Sequence, residues 1–248
     1  MTSNESSIYW GDSELVRDML DCMEKYADSK GVAHAFTRAM VNCDPAAPPA
    51  QGMYITLLDH YRVSGGAYQK HNEFAKRIFK MIADTEVRET GLCKGTSLYP
   101  DFRDLIHETG NDISCFNNTV SYCAIRSMEA LARDMKDSET EQRAKALGDR
   151  MQSNFQDVMF NKKFGFFDSS VEADTYEQRG VPSNNNIKWE NNYCKDLIKG
   201  KEAECLKFYQ DNLICEAGIR PMPTWSDCWD IDSNQLHCWW TVMSEFYT

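Results

Sequence analysis

Four carboxylates crowd one short stretch, Asp101, Asp104, Glu108 and Asp112, with Arg103 and His107 between them. Such crowding suits proton transfer. A carboxylic acid keeps its proton near neutral pH when a second negative charge or an apolar wall disfavours ionisation, and it can then act as a general acid. Gly110 allows a sharp turn there and lets backbone approach a ligand. Arg103 is suited to hold one acid ionised or to grip a hydroxyl-rich ligand. The same residues fit a plainer role. Asp112 and Ser114 suit the start of the apolar helix that follows, and Asp101 with Arg103 suits a solvated surface pair.

A second chemistry-bearing stretch is CEAGIRPMPTWSDCWDIDSNQLHCWW, with Trp225, Trp229, Trp239 and Trp240 set among Asp227, Asp230, Asp232, Arg220 and His237. Indole faces beside carboxylates and amides suit a sugar, because the ring covers its C–H face while the polar groups take the hydroxyls. Core packing of Trp239 and Trp240 at the start of a last helix is the plainer alternative. A third patch, Asn184 to Asn192, places Trp189 and Glu190 among asparagines. Those amides suit either ligand hydroxyls or the capping of a helix.

The elements that must position these residues are helices. Leu15, Val16, Met19, Leu20, Met23 and Tyr26 recur at three- and four-residue spacing and predict a first helix. Pro48-Pro49 opens a second, with Met53, Tyr54, Leu57, Leu58 and Tyr61 on it. A third is predicted from about Tyr68 to Arg88, and a fourth from near Ser114 through Leu131. Ser138 with Glu141 reads as a capping box for a fifth. The stretch FGFFDSSVEADTYEQ, residues 164–178, reads as a short β-hairpin or extended arm. Further helices are predicted over Ile187–Ile198, over Lys201–Leu213 and from near Ser233 onward. The result is an all-α chain of about eight helices, paired into hairpins where the connections are short. Its long connections, Gly31–Pro49, Gly91–Asp112 and Cys215–Asp232, carry the polar and aromatic clusters, which is where function concentrates.

Composition fits one globular unit over residues 1–248, with 42% hydrophobic and 12% aromatic residues. A formal charge of −11 disfavours nucleic acid and anionic membrane surfaces as partners. No apolar run reaches the ~20 residues of a membrane span, and the N-terminus lacks the basic start and apolar stretch of a signal peptide. The ten cysteines include no C-x-x-C pair and read mainly as reduced core residues, so a cytoplasmic location is favoured. The five histidines lack H-E-x-x-H spacing, so neither a metal nor another cofactor is expected. Asn4-Glu5-Ser6 and Asn117-Asn118-Thr119 match the glycosylation acceptor pattern, a short pattern common by chance.

Taken in order, these residues resemble a family. The features are Gly-Val-Ala-His with a Pro-Pro helix start, E-T-G-N-D at Glu108 to Asp112, the helix FNNTVSYCAIRSMEALA, and the arm NKKFGFFDSS. Their succession is similar to the six-hairpin glycosidases, whose (α/α)6 barrel is a toroid of inner and outer helices. Trehalases and processing-glucosidase relatives carry an E-(S/T)-G-x-D turn whose aspartate is the catalytic acid. The resemblance implies that role for Asp112. A D-W-x-D-like turn found in other members resembles Asp101–Asp104, which makes Asp104 the second choice, with Glu108 beside both. The implied activity is hydrolysis of an α-linked glycoside with inversion, a second carboxylate activating water. Glu190, Glu216 and Glu245 are the candidates for that base. Arg103, Trp189, Arg220, Trp225, Trp229 and Trp239 would then bind the carbohydrate. Two departures stand out: Asn111 occupies an aromatic position of the trehalase-like turn, and about eight helices fall short of a full ring. An incomplete toroid, or a piece of a longer barrel, is therefore expected. The competing expectations are a toroid phosphorylase, a lyase using Tyr99 and His107, and a helical module that binds carbohydrate or protein without chemistry.

Overall fold

The computed structural model describes residues 13–25, 27, 51–95, 111–183, 193–216, 218–220 and 222–225. The chain is mostly helical with a few short strands, and the helix pairs of the described residues do not close a ring, as in an incomplete helical toroid. The helices are α1 (Ser13–Lys25), α2 (Met53–Val63), α3 (Asn72–Ala83), α4 (Cys115–Asp134), α5 (Ser138–Met159), α6 (Cys194–Leu197) and α7 (Glu202–Phe208). A 3₁₀ turn, Tyr68–His71, leads into α3, and a π turn, Tyr209–Leu213, continues α7.

Helix α4 is the centre. Almost every side chain of its first three turns is buried, so it reads as an all-round core helix and not as an amphipathic one. It packs along α5 on one side and α2 on another. The α2 crossing is close because Gly52 has no side chain: a Cβ there would lie 2.6 Å from the Cβ of Ala124. Helices α4 and α5 form a hairpin whose short turn contains Lys136 at φ 58°. One apolar cluster runs from Val16 and Leu20 of α1 to Phe208 and Leu213. Helix α1 also docks through polar groups, since Glu24 accepts from the Tyr54 hydroxyl and pairs with Nδ1 of the buried His71.

The polar residues of α4 are employed within the fold. Ser114 caps the helix, its Oγ accepting from the Asn117 N–H at 3.4 Å. The Asn118 amide accepts from the Cys93 N–H at 2.7 Å and donates to the Cys93 carbonyl at 2.7 Å, doing for that segment what a neighbouring strand would do. Asn117 is fully buried and donates to the Gly95 carbonyl, so the matched acceptor asparagine is not available to an oligosaccharide in the folded chain.

Several predicted boundaries move. The cap of α5 is Asp137, one residue before the predicted Ser138; its carboxylate accepts from the Thr140 N–H and hydroxyl at 3.2 and 2.9 Å and pairs with Lys76. The third helix ends at Ala83 and not near Arg88, because Thr85 turns back to bond the Ile82 carbonyl through its N–H and hydroxyl. The predicted Lys201–Leu213 helix is α7 followed by the π turn. Of the predicted Ile187–Ile198 helix, residues 187–192 lie outside the described residues and α6 occupies the second half.

The arm is extended, as expected, and consists of more than one hairpin. Strand β2 (Phe160–Asn161) pairs with β3 (Phe166–Phe167), whereas β4 (Ser170–Glu172) pairs back across the chain with β1 (Asp112–Ser114). The register puts Asp112 opposite Glu172 and Ile113 opposite Val171. Gly95 joins the other side of Ile113, and Gln178 bridges to Val171. A last hairpin, β5 (Ile214–Cys215) with β6 (Gly218–Ile219), follows the π turn.

Candidate active-site region

The end of the acid-rich stretch is tied to the arm. Asp112 is fully buried at the start of β1, and its Oδ1 accepts from Arg179 at 2.6 Å (Nη2) and 3.1 Å (Nε). The guanidinium itself is partly exposed, at 23% of its side-chain surface. Backbone fixes both partners: the Arg179 N–H bonds the Ser170 carbonyl in β4, and the Asp112 carbonyl accepts from the Gly95 N–H. Next door, Asn111 donates to Glu172 at 2.8 Å and to Asp174 at 2.9 Å. Glu172 also takes the N–H groups of Asp174 and Thr175, and these bonds hold its carboxyl below the usual carboxylate range. It is thus a turn-forming anion and not a proton donor at neutral pH.

A second arm carboxylate is more deeply placed. Asp168 is fully buried and accepts from the Gly180 N–H (2.8 Å), the Asn161 amide (3.1 Å), the Val181 N–H (3.3 Å) and the Ser170 N–H (3.4 Å). Burial pushes its carboxyl up, and those four donors pull it back. With its donors drawn from the arm and from both of its flanks, Asp168 pins the arm's fold.

Among the sequence-predicted residues, Asp112, Arg220 and Trp225 lie among the described residues. Asp104, Glu108, Arg103, Trp189, Trp229 and Trp239 lie outside them. Trp225 is half exposed, at 50%, and its indole N–H donates to Asn212 at 2.8 Å. Its ring lies 6.0 Å from that of Phe164, and Phe164, Phe208 and Phe166 continue the aromatic row inward, the last two stacked at 4.7 Å. Arg220 follows β6 and its N–H bonds the Leu213 carbonyl. Of the three candidate bases, Glu216 alone is among the described residues, exposed at the β5–β6 turn.

A broad open groove of about 580 Å³ runs beside the arm, lined by Asp157, Phe160, Lys163, Tyr176 and Gln178 among others. Tyr176 is left-handed (φ 58°) and partly exposed there. Asp112 is not among the groove's lining residues. Among the described residues no group of three or more His, Cys, Asp and Glu side chains is arranged to hold a metal ion, and no helix is long and apolar enough to cross a membrane.

Sequence reasoning missed Arg179, Glu172, Asp174 and Asp168. The available signal was the arm itself, whose run of acids ends in a single arginine.

Comparison with known proteins places the scaffold. No protein-family profile matches the sequence, and no curated protein does either. Solved structures do. A GH63 mannosylglycerate hydrolase from Thermus thermophilus, solved in complex with glucose, aligns with a TM-score of 0.56 at 12% identity, over 84% of this chain and 67% of that one. A sialidase aligns with a TM-score of 0.56 at 14% identity, over 76% of this chain. The chain spans 17% of that sialidase's length. These structural neighbours are glycoside hydrolases, and at such identities the likeness is one of fold.

Proposed function

We propose that this chain is a helical-toroid glycoside hydrolase unit, spanning residues 1–248, that acts on an α-linked glycoside or oligosaccharide. The observation that carries this reading is the alignment with the GH63 mannosylglycerate hydrolase over most of the chain. The acid-rich stretch ending at Asp112 supports it, because glycoside hydrolysis needs a carboxylic acid at the leaving oxygen. In this reading Asp112 is the general acid, with Asp104 and Glu108 beside it in sequence. A second carboxylate activates water from the opposite face of the sugar, at a carboxyl separation of roughly 6.5–9.5 Å for inversion. Trp189, Trp225, Trp229 and Trp239 cover the sugar's apolar face, while Arg103 and Arg220 bond its hydroxyls. Proton delivery from Asp112 then requires that Arg179 give way as the sugar binds, because the guanidinium now occupies its Oδ1.

That ion pair also favours a second reading. A fully buried carboxylate held by arginine is a good anchor for a loop, and an anchor does no chemistry. The acid would then be Asp104 or Glu108, or the chain would bind carbohydrate without turnover. Sugar release from a panel of α-linked glucosides and mannosides, mannosylglycerate included, separates these outcomes. Under the first reading wild type turns over and Asp112→Asn loses about 10²–10⁴-fold in kcat while still binding sugar by calorimetry. Full turnover in Asp112→Asn with loss in Asp104→Asn or Glu108→Gln moves the acid. Binding without release by wild type overturns the hydrolase reading.

A further inference from the structure

Two cysteines far apart in sequence meet inside the fold. Cys123 of α4 and Cys194, the first residue of α6, are 71 positions apart, and their Sγ atoms lie 3.2 Å from each other. Both side chains are buried. Non-bonded heavy atoms usually settle at about 3.5–4.0 Å, so the sulfurs already sit at a close approach. A disulfide bond is about 2.0 Å long, so little over an ångström of movement would join them. That movement is available on one side only. Helix α4 is fixed by packing along its whole length, whereas α6 is a single turn, held by buried Leu197 and by Gln156 donating to the Leu197 carbonyl.

We propose that Cys123 and Cys194 are a thiol-modification site that closes to an intramolecular disulfide on reaction with a low-molecular-weight disulfide. One cysteine thiolate attacks a sulfur of that reagent, forming a mixed disulfide and releasing one thiol. The second cysteine, as its thiolate, attacks the protein-bound sulfur of the mixed disulfide and releases the other thiol. The two cysteines lose two electrons and two protons in all, and the reagent leaves as two thiols. The rate is set by opening of α6, which admits the reagent. Pairing is set by proximity, since the second step is intramolecular. The remaining buried thiols are poorer candidates. Burial pushes Cys93 and Cys205 up to about 12 and Cys115 well above its ordinary value, which keeps them protonated and inert.

The cross-link would tie the start of α6 to the central helix and close a loop containing α5 and the arm. A closed loop of that size restricts the unfolded chain and raises stability. The test equilibrates the full chain in glutathione buffers of increasing oxidised fraction, traps thiols by acid and alkylation, and maps peptides by mass spectrometry. A linked Cys123–Cys194 peptide, two hydrogens lighter than the thiol pair, is expected while Cys93, Cys115 and Cys205 are still recovered as thiols. Melting temperature should rise by about 5 °C and return on adding dithiothreitol. Cys123→Ser and Cys194→Ser should each abolish both effects, and should either variant fail to fold, the wild-type map decides alone. Recovery of both cysteines as alkylated thiols at every ratio overturns the proposal. So does recovery as separate glutathione adducts, or Cys194 linked to Cys115.

Discussion

The Asp112–Arg179 pair combines a fully buried carboxylate with an arginine that keeps some contact with water. The two members should therefore respond differently to substitution. Arg179→Met removes the arginine from a buried charge, which for fully buried pairs costs about 3–5 kcal/mol; the partial exposure of the guanidinium lowers the expected loss to about 2–3 kcal/mol. Asp112→Asn retains an acceptor and the side-chain shape, and should cost less. Combining it with Arg179→Met should recover part of the loss, because the buried charge is removed together with its arginine. Urea unfolding of the four proteins measures this cycle, and equal losses in the single variants with simple additivity in the double would count against a coupled pair. Neither member announced its partner in the sequence. Asp112 stood out by its acidic company, but a bond across 67 positions follows only once the arm folds back on β1. Asp168 escaped notice for the related reason that its four donors are mostly backbone N–H groups, which leave no mark on side-chain patterns.

Element identity was far easier to read than element ends. The α4–α5 hairpin follows from three- and four-residue apolar spacing, which any helix with a buried face must show. The α5 cap was misplaced by one position, since Asp137, Ser138 and Thr140 all carry capping oxygens. What selects Asp137 is tertiary: Lys76 on α3 pairs with it at 2.6 Å. Those partners, led by Lys76, bring its carboxyl down to about 2. The folded-state value lies below the ordinary 3.8, so the contribution is present at neutral pH and is lost as pH falls from about 4 to about 2. Asp137→Ala should cost about 1 kcal/mol at pH 7, the usual worth of an N-cap. It should also flatten the fall in stability across that acid window, in denaturant titrations from pH 5 to pH 2. An unchanged acid slope in the variant would assign the lability to other carboxylates.

At the scale of the whole molecule, α4 is the shared wall of the helix pairs. Its neighbour α5 presents one face to it and one to water, whereas α2 is buried or half-buried along nearly all its length and packs on α1 and α3 as well. Hydrogen exchange should reflect that arrangement. The amides of Val120 to Leu131 should exchange slowest, through global unfolding, and those of α6 and α7 markedly faster, through local opening. If α7 proved as protected as α4, the unfolding unit would include the β5–β6 end of the chain. The sequence resemblance reached this scale in outline: paired helices, an extended arm and a ring left open among the described residues. A meeting of acids, tryptophans and a base in one site is not legible in the same way, because it would depend on how separate connections converge, and periodicity within one helix carries no such information.

Gly95 and Asp112, well separated in sequence, meet in the fold, and the Gly95 N–H bonds the Asp112 carbonyl at 2.9 Å. The two ends of the connection between them are thereby pinned together. Asn118 clamps the outgoing side at Cys93, and Arg179 clamps the incoming side. With its ends pinned, each doubling in length of such a connection adds about 0.6 kcal/mol of closure entropy. Pinned ends make a change in the length of this acid-bearing connection inexpensive in closure entropy, which gives evolution, or an engineer, a position at which to vary the sequence between two fixed points of the scaffold.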